Sequence, residues 1–175
     1  MDIISLLDSR HLKPIEKRAD IAQAIKMGTF TIKDILSLKD AVDDKKMALI
    51  FEAMEEITTK DPQAADVDWL TFAQEFISSK SDNLKREASR IVGNIAHLFP
   101  NDLETAIQKL LDNTSDGGTV VRWSSAYALG RIVSIDRYAR GELCDAVSQL
   151  SEKEENNGVK NQYLNGLKIA GKMRQ

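Results

Sequence analysis

The sequence has few of the residues that build covalent or rigid frameworks. Its single cysteine, Cys144, cannot form an internal disulfide, which predicts a protein of the reducing cytoplasm. Three prolines and nine glycines among 175 residues leave long stretches free for regular helices. Apolar runs of the roughly 18 residues needed to cross a bilayer are missing. The acidic second residue and short apolar patch that follows are not typical of a signal peptide. We therefore expect no contact with a membrane.

The charge balance disfavours a general affinity for nucleic acid. Lysine and arginine together number 24, aspartate and glutamate 27, giving a net charge of −3 and a pI of about 5.5. A broad basic surface, which non-specific DNA binding uses, is not compatible with these totals. The hydrophobic content of 42% and charged content of 29% are typical of a folded globular domain.

The apolar residues recur every three or four positions along nearly the whole chain, which predicts an all-α protein. Four residues that favour helix starts recur at intervals of 38, 37 and 38, and glycines and prolines follow the same period. The helix-start residues are Asp44, Asp82, Thr119 and Asn157; the glycines are Gly93 and Gly130; the prolines are Pro62 and Pro100. A glycine inside a helix costs stability, so we expect Gly130 to lie at a close helix contact.

This period predicts a helix–turn–helix unit that is used four times in one domain, residues 1–175. Each unit pairs a first helix with a second helix, and stacked units bury the apolar faces. The predicted repeats are 31–62, 67–100, 102–136 and 138–174, preceded by a cap hairpin at 1–30. The first helices are predicted at 32–42, 68–79, 103–113 and 142–154, and the second helices at 44–60, 82–99, 119–134 and 157–173.

The stretch TVVRWSSAYALGRI, residues 119–132, resembles the second helix of a HEAT-like repeat. Its Val-Arg pair and its later Ala-Leu-Gly fit that pattern, while the last unit has Lys168 where the glycine belongs. The similarity is to bacterial or archaeal HEAT-repeat and PBS-lyase-HEAT-like proteins and extends over roughly residues 31–173. It implies an α–α superhelix, or solenoid, that serves as an interaction scaffold, with the second helices lining its concave surface. It also implies that Lys85, Arg122 and Lys160 bond acidic residues of adjacent units, such as Asp82 or Asp116.

The concave positions implied by the resemblance form what we call the stripe. It consists of Arg86, Arg90 and Asn94, then Trp123, Tyr127 and Arg131, then Asn161 and Asn165. Trp, Tyr and Arg dominate protein interfaces, so the stripe is predicted to bind another protein or a peptide, with acidic groups facing its arginines. On this hypothesis Trp123 is substantially exposed, and the patch has a local positive potential with an acidic edge at Glu52 and Glu56 of the first unit. The alternative is that Trp123 and Tyr127 simply pack between helices.

The sequence lacks the motifs that are typical of catalytic sites. His11, His97 and Cys144 show no metal-ligand spacing, and neither a Gly-x-Ser-x-Gly motif nor a glycine-rich phosphate loop is present. Cys144 and Trp69 lie in apolar helical patterns and are predicted to be core residues. We expect a non-catalytic protein without cofactor or metal. The alternative is a nucleic-acid-binding or DNA-glycosylase-like HEAT protein, although no aspartate occupies the stripe.

Overall fold

The computed structural model describes residues 2–173, and ten α-helices make up most of this part. The helices are α1 Ile3–Asp8, α2 Pro14–Lys26, α3 Ile32–Ser37, α4 Asp44–Lys60, α5 Val67–Phe76, α6 Asp82–Ile95, α7 Glu104–Asp112, α8 Thr119–Val133, α9 Glu142–Lys153 and α10 Asn157–Met173. No strand occurs within residues 2–173, which confirms the all-α prediction. The ends of the predicted domain, residues 1, 174 and 175, lie outside the described residues.

The predicted second helices agree closely with α4, α6, α8 and α10. The helix-start residues are the first helical residues, but in α4, α6 and α10 the capping side chain comes one position earlier, and α8 begins after Gly118 without a side-chain cap. Asp43 accepts from the Lys46 N–H, and Ser81 from the Leu84 N–H. The reason is that a capping residue lies outside the helix, where its side chain can turn back to the free N–H groups of the first turn.

The first helices are shorter than predicted, most clearly in the segment 32–42. There the helix α3 ends at Ser37, and the N–H of Leu38 bonds the carbonyls of Ile35 and Leu36. The following turn places Asp43 in extended backbone, where it caps α4. The predicted helix was too long because the apolar pattern of the sequence extends into this turn, where Val42 also packs against the core.

The second helices pack on one another in chain order. Helix α2 packs against α4, α4 against α6, α6 against α8, and α8 against α10, while α5 packs on α6 and α9 on α10. The buried apolar residues form a single cluster that runs from Ile3 to Ala170. Cys144 and Trp69 belong to this cluster, as predicted.

Polar contacts between helices repeat the sequence period. Lys85 bonds Asp116, 31 residues ahead. Asn113 donates to the Ile77 carbonyl, 36 residues back, and the Tyr138 hydroxyl donates to the Pro100 carbonyl, 38 residues back. These side chains tie successive parts of the stack together at separations of 31 to 38 residues.

A very close helix contact joins Gly130 of α8 to Gly166 of α10. A Cβ atom on Gly130 would overlap the Gln162 carbonyl oxygen, and one on Gly166 would overlap the Gly130 backbone. The expected close contact at Gly130 is confirmed. Its partner Gly166 escaped the sequence analysis, because the period aligns Gly130 with Lys168, whereas the contacting residue aligns with Ala128.

Candidate partner-binding surface

Three stripe residues of α8 form a stack along the helix. The rings of Trp123 and Tyr127 lie nearly parallel, with centroids 5.5 Å apart and an interplanar angle of 9°. The Arg131 guanidinium carbon is 5.2 Å from the centroid of the Tyr127 ring, and its Nη2 donates to the Tyr127 hydroxyl at 3.0 Å. Spacing by four residues places the three side chains on one helix face. The stack is preorganised, since each member restricts the next.

The exposure of this stack lies between the two alternatives of the sequence analysis. Trp123 and Tyr127 are half-buried, Trp123 packs against the core, and Arg131 is exposed. Trp123 is thus less exposed than the substantial accessibility expected of it, because part of the side chain packs against the core. The rest of the side chain is open to solvent.

Asn94 is not a surface residue, which corrects its place in the stripe. Its exposed fraction is 3%, and its amide nitrogen donates to the hydroxyls of Thr58 and Thr59 at 3.1 and 3.0 Å. Its carbonyl oxygen accepts a hydrogen bond from the Tyr127 hydroxyl at 2.5 Å. The close approach of α6 and α8 at Gly93 draws this position inward, since a Cβ there would lie 2.9 Å from the Tyr127 ring. Asn94 thus positions Tyr127.

Arg86 and Arg90 line a groove of about 480 Å³ between α2, α4 and α6, which we call the acidic groove. The lining residues are Arg18, Glu52, Glu55, Glu56, Arg86, Glu87 and Arg90. Arg90 Nη2 lies 2.8 Å from a Glu55 oxygen, and Arg86 Nε lies 2.7 Å from a Glu87 oxygen. The lining carries four carboxylates and three guanidinium groups, so its formal charge is −1, in contrast to the positive potential expected around Arg86 and Arg90.

The carboxylates of the acidic groove differ in how well their charge is compensated. Glu87 is only 3% exposed, and this burial raises the pKa of its carboxyl despite the bond from Arg86. The nearest cation to Glu52 is Arg18, whose Nη1 lies 3.9 Å from the carboxylate oxygen. That separation is too long for a hydrogen bond. Glu52 therefore faces the groove without a hydrogen-bonded cation in the described part of the chain.

Asn165 lines a second groove, of about 310 Å³, between α8 and α10, which we call the amide groove. Its wall also includes Tyr127, Arg131, Gln162 and Ile169, and it contains no carboxylate. Asn161 lies one turn earlier on the same helix and is exposed. Within residues 2–173, Arg131 pairs with no carboxylate. A further cavity of about 240 Å³ adjoins Arg131 and reaches His97.

Ile169 was missed by the sequence analysis. It is 46% exposed and lines both the amide groove and the adjoining cavity. The signal was available, because Ile169 follows Asn165 by four residues, as Arg131 follows Tyr127.

Two of the three basic residues of the first helical turns, Lys85 and Arg122, form the predicted ties between units. Lys85 Nζ lies 2.8 Å from Asp116 Oδ2, and Arg122 Nε lies 3.2 Å from Glu154 Oε2. The hydrogen bond from Lys85 lowers the pKa of Asp116, helped by the Gly118 N–H. Asp116 was one of the two partners expected for these residues. These contacts hold neighbouring turns together and leave the two basic groups occupied.

Within residues 2–173, no three His, Cys, Asp or Glu side chains are grouped as metal ligands would be. No helix in the same range has the length and apolar character needed to cross a membrane.

Comparison with known proteins supports the fold and leaves the family open. No family model matches the sequence, and no curated protein matches it. A crystal structure described as an engineered protein aligns with 98% of this chain and 96% of its own, with a TM-score of 0.56 and 12% identity. At this identity the similarity concerns the fold alone. The HEAT-like resemblance rests on the residues quoted above.

Proposed function

We propose that this protein is a non-catalytic scaffold that binds another protein or a peptide, built as a HEAT-like α–α superhelix. The packing of α2, α4, α6, α8 and α10 in chain order supports this architecture. So do the polar ties between units at separations of 31 to 38 residues. The single cysteine supports a cytoplasmic location.

The observation that carries the proposal is the Trp123–Tyr127–Arg131 stack beside a groove without carboxylates. One N–H of Arg131 donates to the Tyr127 hydroxyl, which leaves the other donors of Arg131 for a ligand. An acidic group of the partner would bond the guanidinium, and the amides of Gln162 and Asn165 would supply further hydrogen bonds. Ile169 and the Trp123 edge would cover the apolar part of the partner.

The acidic groove disfavours nucleic acid as the partner. A phosphate backbone that crossed α4 and α6 would pass Glu52, Glu55 and Glu56, which repel it. We therefore favour protein binding over nucleic-acid binding. Tight binding to a labelled duplex that weakens steeply with salt would contradict it.

Site-specific photo-crosslinking in a lysate of the native host tests the proposal. A photoreactive residue at Asn165 should yield a defined adduct that mass spectrometry identifies as one protein, and Arg131→Ala should abolish it. Arg10→Ala, which removes an exposed arginine elsewhere, should leave the adduct intact. A photoreactive residue at Gln108 on α7 is the control for random collisions. Equal adducts from Gln108, or an adduct at Asn165 indifferent to Arg131→Ala, would refute the assignment.

A further inference from the structure

We propose that Asn94 is a positioning residue of the binding surface. Through Tyr127 it holds the Arg131 guanidinium in the orientation that binds a carboxylate of the partner. This inference deepens the proposed function, on which the assignment of that carboxylate to a partner rests. It gives a role to a stripe residue that a partner hardly reaches, since only 3% of Asn94 is exposed.

Hydrogen bonds link Arg131 to α6 through one hydroxyl group. Arg131 Nη2 donates to the Tyr127 hydroxyl at 3.0 Å, and this hydroxyl donates to the Asn94 carbonyl oxygen. Because the hydroxyl hydrogen is bound to Asn94, the lone pairs of the oxygen are available to the guanidinium. Without that acceptor the hydrogen is free to rotate toward Arg131, where it would weaken the bond. The orientation of Arg131 therefore depends on the Asn94 carbonyl.

The chain of hydrogen bonds continues from Asn94 to α4. The Asn94 amide nitrogen donates to the hydroxyls of Thr58 and Thr59. The Thr59 hydroxyl in turn donates to Glu55 Oε1 at 2.7 Å. Every donor on the path from Arg131 to Glu55 points the same way, from a cation toward a carboxylate. Aligned hydrogen bonds polarise one another, so each bond in this chain strengthens the next.

Stacking on Trp123 cannot replace this chain. The two rings are nearly parallel, which fixes the plane of the Tyr127 ring. The attraction between that ring and the Arg131 guanidinium, 5.2 Å from its centroid, allows a range of positions over the ring face. A hydrogen bond to the hydroxyl selects one of these positions, because it is directional.

The surroundings of Arg131 favour a carboxylate as the ligand. The side chain lines both the amide groove and the adjoining cavity, and no carboxylate lines either one within residues 2–173. The planar guanidinium matches a carboxylate with two parallel N–H···O bonds. Among the described residues of these linings, His97 is the only other basic side chain. So small a positive charge favours a singly charged carboxylate over a phosphate.

Nuclear relaxation of the Arg131 side-chain Nε in the free, isotope-labelled protein tests the positioning, with Arg131→Lys to identify the signal. We expect an ordered Nε in the parent and a mobile one in Asn94→Ala and in Tyr127→Phe. Tyr138→Phe is the matched control, because the Tyr138 hydroxyl also donates to a backbone carbonyl and Arg137 lies over its ring. It should leave the Arg131 signal unchanged.

Binding of a small probe tests the consequence for recognition. N-acetyl-aspartyl-leucine amide supplies one carboxylate and one apolar side chain, and amide NMR follows its binding. We expect shifts at residues 127–134 and 162–169. Asn94→Ala and Tyr127→Phe should each weaken binding about fivefold, the worth of one hydrogen bond. In an Arg131→Gln background, Asn94→Ala should cause no further loss, whereas a purely structural role would cost the same in both backgrounds.

Any of four results would overturn the inference. They are an Arg131 Nε equally mobile in the parent and in Asn94→Ala, no localised shifts with the probe, a loss on Asn94→Ala that persists in Arg131→Gln, and tighter binding of inorganic phosphate or of N-acetyl-asparaginyl-leucine amide than of the probe. If Asn94→Ala does not fold, Tyr127→Phe takes its place in both tests, since it removes only a hydroxyl.

These measurements need no natural partner, which separates the inference from the proposed function. Their failure while the Asn165 adduct persists would remove the inference and leave the proposed function. Their success without any adduct would support the role of Asn94 and count against the scaffold function.

Discussion

At the scale of single residues, the negative charge of Glu87 opposes the stability of the fold that buries it. Burial raises the pKa of this carboxyl above the ordinary value of 4.5, despite the bond from Arg86. A carboxyl with a raised folded-state pKa binds its proton more tightly when folded. Its contribution to stability is therefore present below pH 4.5 and is lost as the pH rises through the folded-state pKa.

Glu87→Gln should accordingly stabilise the protein at pH 7 and have little effect near pH 4. The glutamine keeps the shape of the side chain and removes the charge that burial opposes. Urea unfolding of both proteins between pH 4 and 8 measures the difference, with Glu152→Gln as an exposed control. A variant less stable than the parent at pH 7 would mean that the Arg86 pair outweighs burial.

Trp123 should respond to solvent as a half-buried side chain. In a Trp69→Phe background, acrylamide should quench Trp123 more than it quenches Trp69 in the reciprocal Trp123→Phe protein, because Trp69 is buried. Trp123→Ala should cost about 2 kcal/mol of unfolding free energy, less than a fully buried tryptophan. Equal protection of the two indoles would remove Trp123 from the binding surface.

At the scale of elements, the contact between α8 and α10 depends on two glycines. Gly130→Ala should destabilise by about 1–3 kcal/mol, and Gly130→Leu by more, since any Cβ overlaps the Gln162 carbonyl. Gly171→Ala is the matched control on α10, because a Cβ there meets nothing within 4 Å. It should be neutral or stabilise by up to about 1 kcal/mol. Thermal unfolding measures these changes. A Gly130→Ala protein as stable as the parent would refute the close contact.

The bounds of the second helices could be predicted because local chemistry determines them. Capping residues, apolar period and the scarcity of proline act within a few residues of chain, as at Asp43 and Ser81. The environment of the stripe residues was harder to predict, because it depends on side chains of other units. The sequence does not show that Asn94 is hydrogen-bonded to Thr58 and Thr59, or that Glu55 pairs with Arg90. Those contacts require the spatial register between α4 and α6.

At the scale of the whole molecule, helices that pack mainly in chain order predict a gradient of local stability. The helices α6 and α8 each pack against a second helix on both sides, whereas α10 does so on one side within the described residues. Amide hydrogen exchange should therefore be slowest in α6 and α8 and faster in α1 and α10. Uniform protection from α1 to α10 would show that the chain unfolds as one cooperative unit.

The similar separation of the ties between units, 31 to 38 residues, has a consequence for folding kinetics. Each tie closes a loop of about the same length, so the entropy lost on closing it is nearly the same wherever folding begins. Contacts that reach no farther than a nearby unit favour faster folding than contacts between the two ends of the chain. A nucleus of two adjacent units can form at several places and grow in either direction. During synthesis each unit can dock as soon as it leaves the ribosome, without waiting for distant segments.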